Sequence, residues 1–395
     1  MKSNTALIRK GGANVSSSKG LPWVGLLALA MAGFICILTE GLPAGLLPQI
    51  AQDLGVTEAL AGQLVTLYAV GSLLAAIPLT TATREWRRRP LLLLCIIGFL
   101  VFNIITALSS VYVLTLVARF FAGVLWGMTA GYARRMVPDS LKGRAMAVAM
   151  VGTPLALALG VPLGTFFGTY TGWRLIFGAV SLLAAALIGW VLWKVPDYAG
   201  EPAGDQFPFH KVFLILGVRP ILFVVLAWVL AHNILYTYIA PYLAETAFAQ
   251  RVDLVLLIFG ITSVVGIWVI GMLIDRSLRM LVLISITGFA LASAALGIGM
   301  NQPAIIILGV TAWGLTFGGA ATLLQTAIAQ AGGNSADIAQ SMLVTAWNVA
   351  IGGGGIIGGF LLELLGAGFL PGSLIILLLP SLLAAWLAKK HGFPS

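Results

Sequence analysis

The chain has 395 residues, of which 60% are hydrophobic and 9% charged, against roughly 45–50% and about 25% in ordinary soluble domains. That composition cannot cover a soluble fold of this size with polar surface, whereas a bilayer accepts apolar faces directly. The net charge of +9 does not indicate nucleic acid, because the basic residues sit between apolar segments in the pattern of membrane orientation.

A spanning helix needs about 20 mostly apolar residues, and the sequence predicts an all-α membrane protein with twelve transmembrane helices. A polar tail, residues 1–20, carries Lys2, Arg9, Lys10 and Lys19. The run after it is too long for a signal-peptide core and has no small-residue cleavage site, so it reads as the first span. Six segments follow the tail, at 23–47, 59–80, 90–108, 112–133, 145–167 and 175–193. Six more lie at 220–242, 254–274, 280–299, 304–325, 341–365 and 372–388. A polar stretch with Asp197, Glu201, Pro202, Asp205 and Pro208 separates the two sets. The predicted organisation is therefore a tail (1–20), a six-helix half (21–193), a central loop (194–219) and a second six-helix half with a short tail (220–395).

Placing the N-terminus on the cytoplasmic side gathers the basic residues on that side. They come from the tail, from Arg84, Arg87, Arg88 and Arg89, from Arg134, Arg135, Lys142 and Arg144, from the central loop, and from Arg276, Arg279, Lys389 and Lys390. Only Arg174 and Arg251 fall outside, and Arg119 lies within a span. This asymmetry predicts an even number of spans with both termini cytoplasmic. Small residues recur every fourth position in the fifth segment (Gly152, Ala156, Gly160, Gly164, Gly168). The eleventh carries Gly352 to Gly355, Gly358 and Gly359. Such faces allow close backbone packing, and related halves are a transporter design with the site between them near the midplane.

Glu40 is the only acidic residue well inside an apolar segment, and its neighbours Pro43 and Pro48 predict a kink. It reads either as a protonatable group facing a water-filled cavity or as a structural carboxyl near the rim. Arg119, in the fourth segment, falls at the same depth, roughly 10–12 Å from the outer end. Two readings stand: a Glu40–Arg119 interaction broken by proton arrival, or an arginine that organises nearby backbone carbonyls. The seventh segment is the most polar, with His232, Asn233, Tyr236, Thr237, Tyr238 and Tyr242. His232 is a candidate proton carrier or a satisfied hydrogen-bonding residue. Asn233, Tyr236, Trp126, Trp313, Trp347 and Asn348 are candidate cavity residues, alongside Trp228 and Gln325. Pro154 and Pro162 bend the fifth segment beside its glycines. Cys36 and Cys95 lie in apolar segments as free thiols, and three scattered histidines form no metal site. No metal or cofactor is expected. The motifs of soluble enzymes, including a P-loop, are missing, so the chain is not expected to be an enzyme or to pump with ATP.

These residues resemble the major facilitator superfamily, and within it the drug:proton antiporter group of bacterial sugar, arabinose and purine-nucleoside efflux proteins. The resemblance covers nearly the whole chain. It rests on TEGLPAGLLPQIAQDLGVTEALAGQLVTLYAVG from Thr39, RFFAGVLWG at Arg119 and Gly123, GVPLG at Gly160, Pro162 and Gly164, and YTYIAPYL from Tyr236. The family's GxxxDRxGRR loop is degraded. Leu79, Thr83 and Trp86 replace its Gly, Asp and Gly, while Arg84, Arg87 and Arg88 remain, and the second-half copy keeps Gly271, Asp275 and Arg276. The resemblance implies a monomer in the bacterial cytoplasmic membrane that exports a small organic solute by proton antiport with alternating access. The partners it implies are the solute, protons and the lipid bilayer. Uptake by symport or facilitation, and a non-transporting receptor or assembly protein, are the alternatives.

Overall fold

The computed structural model describes residues 21–76, 78–83, 85–126, 145, 148–200 and 209–393. Among the described residues the regular elements are all helices, since in hydrocarbon each backbone N–H and C=O must find its partner within its own segment. The first part holds α1 (Trp23–Gly45), α2 (Leu47–Leu54), α3 (Glu58–Ala76), α4 (Pro78–Ala82), α5 (Arg88–Leu108), α6 (Tyr112–Trp126), α7 (Gly152–Leu155), a π turn (Ala156–Gly160), α8 (Val161–Thr171) and α9 (Trp173–Lys194). The second holds α10 (Phe209–Phe213), α11 (Val218–Thr237), α12 (Ile239–Ala244), α13 (Val252–Ile298), α14 (Pro303–Gly318), α15 (Ala320–Gly332), α16 (Ala336–Leu365), α17 (Leu370–Ser373) and α18 (Ile375–Leu387).

Ten helices among the described residues are long and apolar enough to cross a membrane. One of them, α13, runs for 47 residues through the eighth and ninth predicted segments. It is broken at Ser277, whose φ of −153° and ψ of 38° are not helical. A shorter apolar helix covers Tyr112–Leu125, and the rest of the fourth predicted segment lies outside the described residues. Large apolar side chains such as Leu182, Trp193, Leu291 and Ile376 stand on the outer surface. That surface would be a liability in water and is a fit to lipid.

Several predicted segments are interrupted, and prolines account for two of the interruptions. Pro162 has no N–H for the Ala158 carbonyl, and the chain widens into the π turn just before it. Pro241 leaves the Thr237 carbonyl without its helical donor, and the seventh segment breaks at Tyr238 (φ −109°, ψ 25°). Pro43 sits inside α1 and withholds a donor from Thr39. Beyond α1, the chain turns at Gly55 after α2, where φ is +65°, a conformation that glycine adopts without strain.

In the first part α1 packs on α9, on the π segment with its flanking helices, and on α3, while α5 packs on α6 and α9. The glycine ladder faces α1. A Cβ on Gly152 would overlap the Ala30 carbonyl oxygen, one on Gly160 would come 2.8 Å from Leu38, and ones on Gly164 and Gly168 would overlap or crowd Leu42 and Leu46. In the second part α13 packs on α14 and α18, and α11 on α16 and α18. The two parts meet along α3 with α16, and along the π turn and α8 with α13. At the second contact Gly260 lies against the backbone of Leu157 and Ala158.

The α3–α16 contact is graded. On α16, Gly359, Gly355 and Gly352 are buried, Asn348 and Thr345 are half-buried, and Ser341 is exposed. On α3, Ala59, Gly62 and Thr66 are buried and Val70 and Leu73 half-buried. The parts are thus sealed at the Gly55 end and diverge toward the other end.

Candidate functional site between the two parts

The buried polar groups of the first part are organised by Arg119, which is 1% exposed. Its Nη1 donates to the Thr39 carbonyl at 2.5 Å, the oxygen that Pro43 leaves without a helical partner. Its Nη2 donates to the Glu40 carbonyl at 3.4 Å and its Nε to the Leu64 carbonyl at 3.3 Å, so one side chain ties α1 to α3. The guanidinium also lies over the rings of Tyr68 and Phe177, at 4.9 and 5.8 Å. Around it the Asn103 amide donates to Thr39 Oγ1 (3.0 Å), Thr39 Oγ1 donates to the Ile35 carbonyl (2.8 Å), and Cys36 Sγ lies 3.0 Å from the Tyr68 hydroxyl.

Arg119 therefore lies level with Glu40, but its bonds go to main-chain oxygens. Among the described residues the Glu40 carboxylate takes part in no ion pair or hydrogen bond. Glu40 is half-buried. On the helix it points between the direction of Cys36, which meets Tyr68 on α3, and that of Gly41. A Cβ on Gly41 would meet Val161 at 3.1 Å and the Tyr236 hydroxyl at 3.6 Å. The carboxylate thus faces the space between α1, α3 and α11, where the two parts meet.

Across that space the second part presents an aromatic wall. His232 stacks on Phe317 at 3.6 Å and on Tyr236 at 5.4 Å, with Phe259 at 5.7 Å. The Trp313 indole N–H donates to His232 Nδ1 at 3.1 Å, which fixes Nδ1 as an acceptor. The ring is enclosed by other rings and carries one directed hydrogen bond. Trp313, another expected cavity residue, is wholly buried behind His232.

The other expected cavity residues divide. Tyr236 is 7% exposed and reaches α1 as described. Asn233 donates back to the Val229 carbonyl (2.8 Å) and lies where a Cβ on Gly354 would come 2.5 Å away, so it packs against α16. Trp347 is half-buried and bridges the parts, 6.4 Å from Phe317 and packed with Val65, Ala69 and Ile351. Asn348, also half-buried, lies on the widening face of α16 and donates to the Val344 carbonyl at 3.0 Å. Trp126 ends α6, and its side chain lies outside the described residues, as does Arg84.

The motif residues also separate. Gly160 and Gly164 pack on α1, while the π turn before Pro162 carries the contact to Gly260. Arg87 Nε donates to Asp197 Oδ2 at 2.5 Å, and the Arg89 amide donates to Asp197 Oδ1 at 3.0 Å. The Arg88 amide donates to the Tyr198 carbonyl at 2.9 Å. Partial burial raises the Asp197 carboxyl, but the Arg89 amide and the Arg87 guanidinium outweigh it and hold it below the ordinary carboxylate range. Asp275 and Arg276 are exposed and form no ion pair among the described residues. Sequence reasoning missed Thr39, Tyr68 and Asn103 around Arg119, Phe259 and Phe317 around His232, and Asp197. Pro43 was the available signal for Thr39, since a proline marks the carbonyl four residues earlier as unpaired.

The family profile of the Major Facilitator Superfamily matches residues 29–336. The chain belongs to the major facilitator superfamily. It is therefore a multi-pass membrane transporter of a small solute and not an enzyme. Two solved structures share the superfamily fold with it. The human organic anion transporter MFSD10 (TETRAN) is 16% identical, with a TM-score of 0.69 over 92% of this chain and 99% of that one. A bacterial homologue of the human lysosomal transporter Spinster, solved inward-facing and unoccupied, is 13% identical, with a TM-score of 0.70 over 96% and 100%.

Proposed function

We propose that this superfamily member is a proton antiporter of the drug:proton group that exports a small organic solute across a bacterial cytoplasmic membrane as a monomer. In this reading α13 counts as two spans and α6 as one, giving twelve in two six-helix halves with both termini cytoplasmic. The Gly55 end is then extracellular and the sealed state opens inward.

The observation that carries the reading is the Glu40 carboxylate. It stands within a span, half-buried and, among the described residues, in no ion pair or hydrogen bond, at the meeting of the two parts. A group placed there can hold a proton in one state and surrender it in the other. Solute and proton compete when solute enters beside Glu40, Tyr236, Trp347 and Asn348. Arg119 acts by fixing the kinked backbone that carries Glu40, and His232 by holding the wall behind Tyr236. The rings and amides suit sugars, nucleosides or aromatic drugs, and the unpaired carboxylate disfavours anions.

Everted vesicles carrying a pH gradient test this. A transported solute from those three classes should dissipate the gradient with the native chain and leave it intact with Glu40→Gln. A Glu40→Gln chain that dissipates the gradient as well as the native one would overturn the assignment.

A further inference from the structure

The hydroxyl of Tyr238 serves the contact between α3 and α16. The side chain is completely buried although it belongs to the polar face of the seventh segment. Its phenol enters a slot made by three glycines from two helices. A Cβ on Gly62 would overlap the hydroxyl, one on Gly358 would come 2.6 Å from Cδ2, and one on Gly359 2.8 Å from the hydroxyl. The single hydroxyl proton is shared between the Gly355 carbonyl at 2.6 Å and the Ala59 carbonyl at 3.3 Å. One phenol therefore joins the end of α11 to α3 and α16 together.

The bonds around it have a common character. Gln63 Nε2 donates to the Gly355 carbonyl at 3.2 Å, Thr66 Oγ1 to the Gly352 carbonyl at 3.3 Å, and Thr57 Oγ1 to Glu363 Oε1 at 3.1 Å. The donors are neutral. Gly352 and Gly355 lie inside a continuous helix, so their carbonyls already have helical partners and offer only a second lone pair. Parting the surfaces leaves no carbonyl orphaned. A contact that must open and close in each transport cycle needs that property, whereas one built on buried charges would resist opening.

The backbone explains how Tyr238 reaches the slot. Tyr236 and Tyr238 would point in opposed directions along an unbroken helix. Tyr236 still lies on the helix and meets Gly41, whereas the chain leaves helical geometry at Tyr238, whose ring meets Gly62.

We infer that Tyr238 is the latch of the Gly55-end seal: its bond to the Gly355 carbonyl fixes the phenol within the second part, and its bond to the Ala59 carbonyl and its seat against Gly62 hold the first part to it. This goes beyond the antiport reading and depends neither on the solute nor on Glu40. The test places nitroxide labels on the exposed positions 52 and 369, one in each part, and reads their distance distribution without added solute in lipid nanodiscs. Tyr238→Phe keeps the ring and removes the donor. It should raise the ratio of long to short distances about fivefold, the effect of one net hydrogen bond. Gly62→Ala, which puts a methyl where the hydroxyl sits, should shift the ratio the same way. A second measurement works in native membranes: a Thr57→Cys, Glu363→Cys pair should cross-link more slowly when Tyr238→Phe is added. Distance distributions and cross-linking rates unchanged from the native Tyr238 background would overturn the latch.

Discussion

Arg119 and Pro43 are coupled through one oxygen, and a double-mutant cycle exposes that coupling. Arg119→Met removes the donor that reaches the Thr39 carbonyl at 2.5 Å and leaves that oxygen buried with no partner, because Pro43 has no N–H. An unsatisfied buried carbonyl costs about 1–3 kcal/mol. Loss of the longer bonds to Glu40 and Leu64 adds to this, while removal of a buried charge offsets part of it. Pro43→Ala alone supplies a second donor to an oxygen that Arg119 already satisfies and should change stability little. Combined with Arg119→Met, the new N–H takes the abandoned carbonyl, so the double variant should recover about 1–2 kcal/mol relative to the sum of the singles. Denaturant or thermal unfolding of the purified protein in detergent gives all four corners of the cycle. Additivity within about 0.5 kcal/mol would refute the view that Arg119 serves the proline-freed carbonyl.

Three further expectations follow from the same geometry. Gly152→Ala drives a methyl into the Ala30 carbonyl oxygen and should cost at least about 2 kcal/mol, whereas Gly178, with open space around its Cβ position, should tolerate alanine or gain about 0.5–1 kcal/mol; unfolding midpoints decide. Trp313→Phe removes the donor to His232 Nδ1 and should lower stability by about 1–3 kcal/mol while leaving pH-gradient dissipation in place, which vesicle assays would report. Asp197 has a lowered pKa in the fold, so its contribution is present above the ordinary carboxylate range and is lost as pH falls through the folded value. The native chain should therefore lose stability in acid more steeply than Asp197→Asn, as seen in melting curves across pH.

The spans were legible because a bilayer imposes length and hydropathy on each segment without reference to its neighbours. The same local logic made Pro43 and Pro162 readable as bends, since each removes one known donor. Partners across the bundle were not readable. The glycines of the fifth segment announced a close-packed face, yet nothing in their spacing says that α1 rather than α13 fills it. His232 looked like a titratable group because Trp313 and Phe317, some 80 residues away in the chain, enclose it only in the fold. Asp197 stood in a polar stretch, and its role depends on Arg87 and Arg89 arriving from the end of a distant helix.

The central claim is that solute and proton contend for one carboxylate, and proton release on binding tests it most directly. Purified native protein in weakly buffered detergent, titrated with the solute that the vesicle screen identifies, should release protons as solute binds. Glu40→Gln should bind solute and release none. Equal proton release from both proteins would contradict the account and move the coupling site away from Glu40.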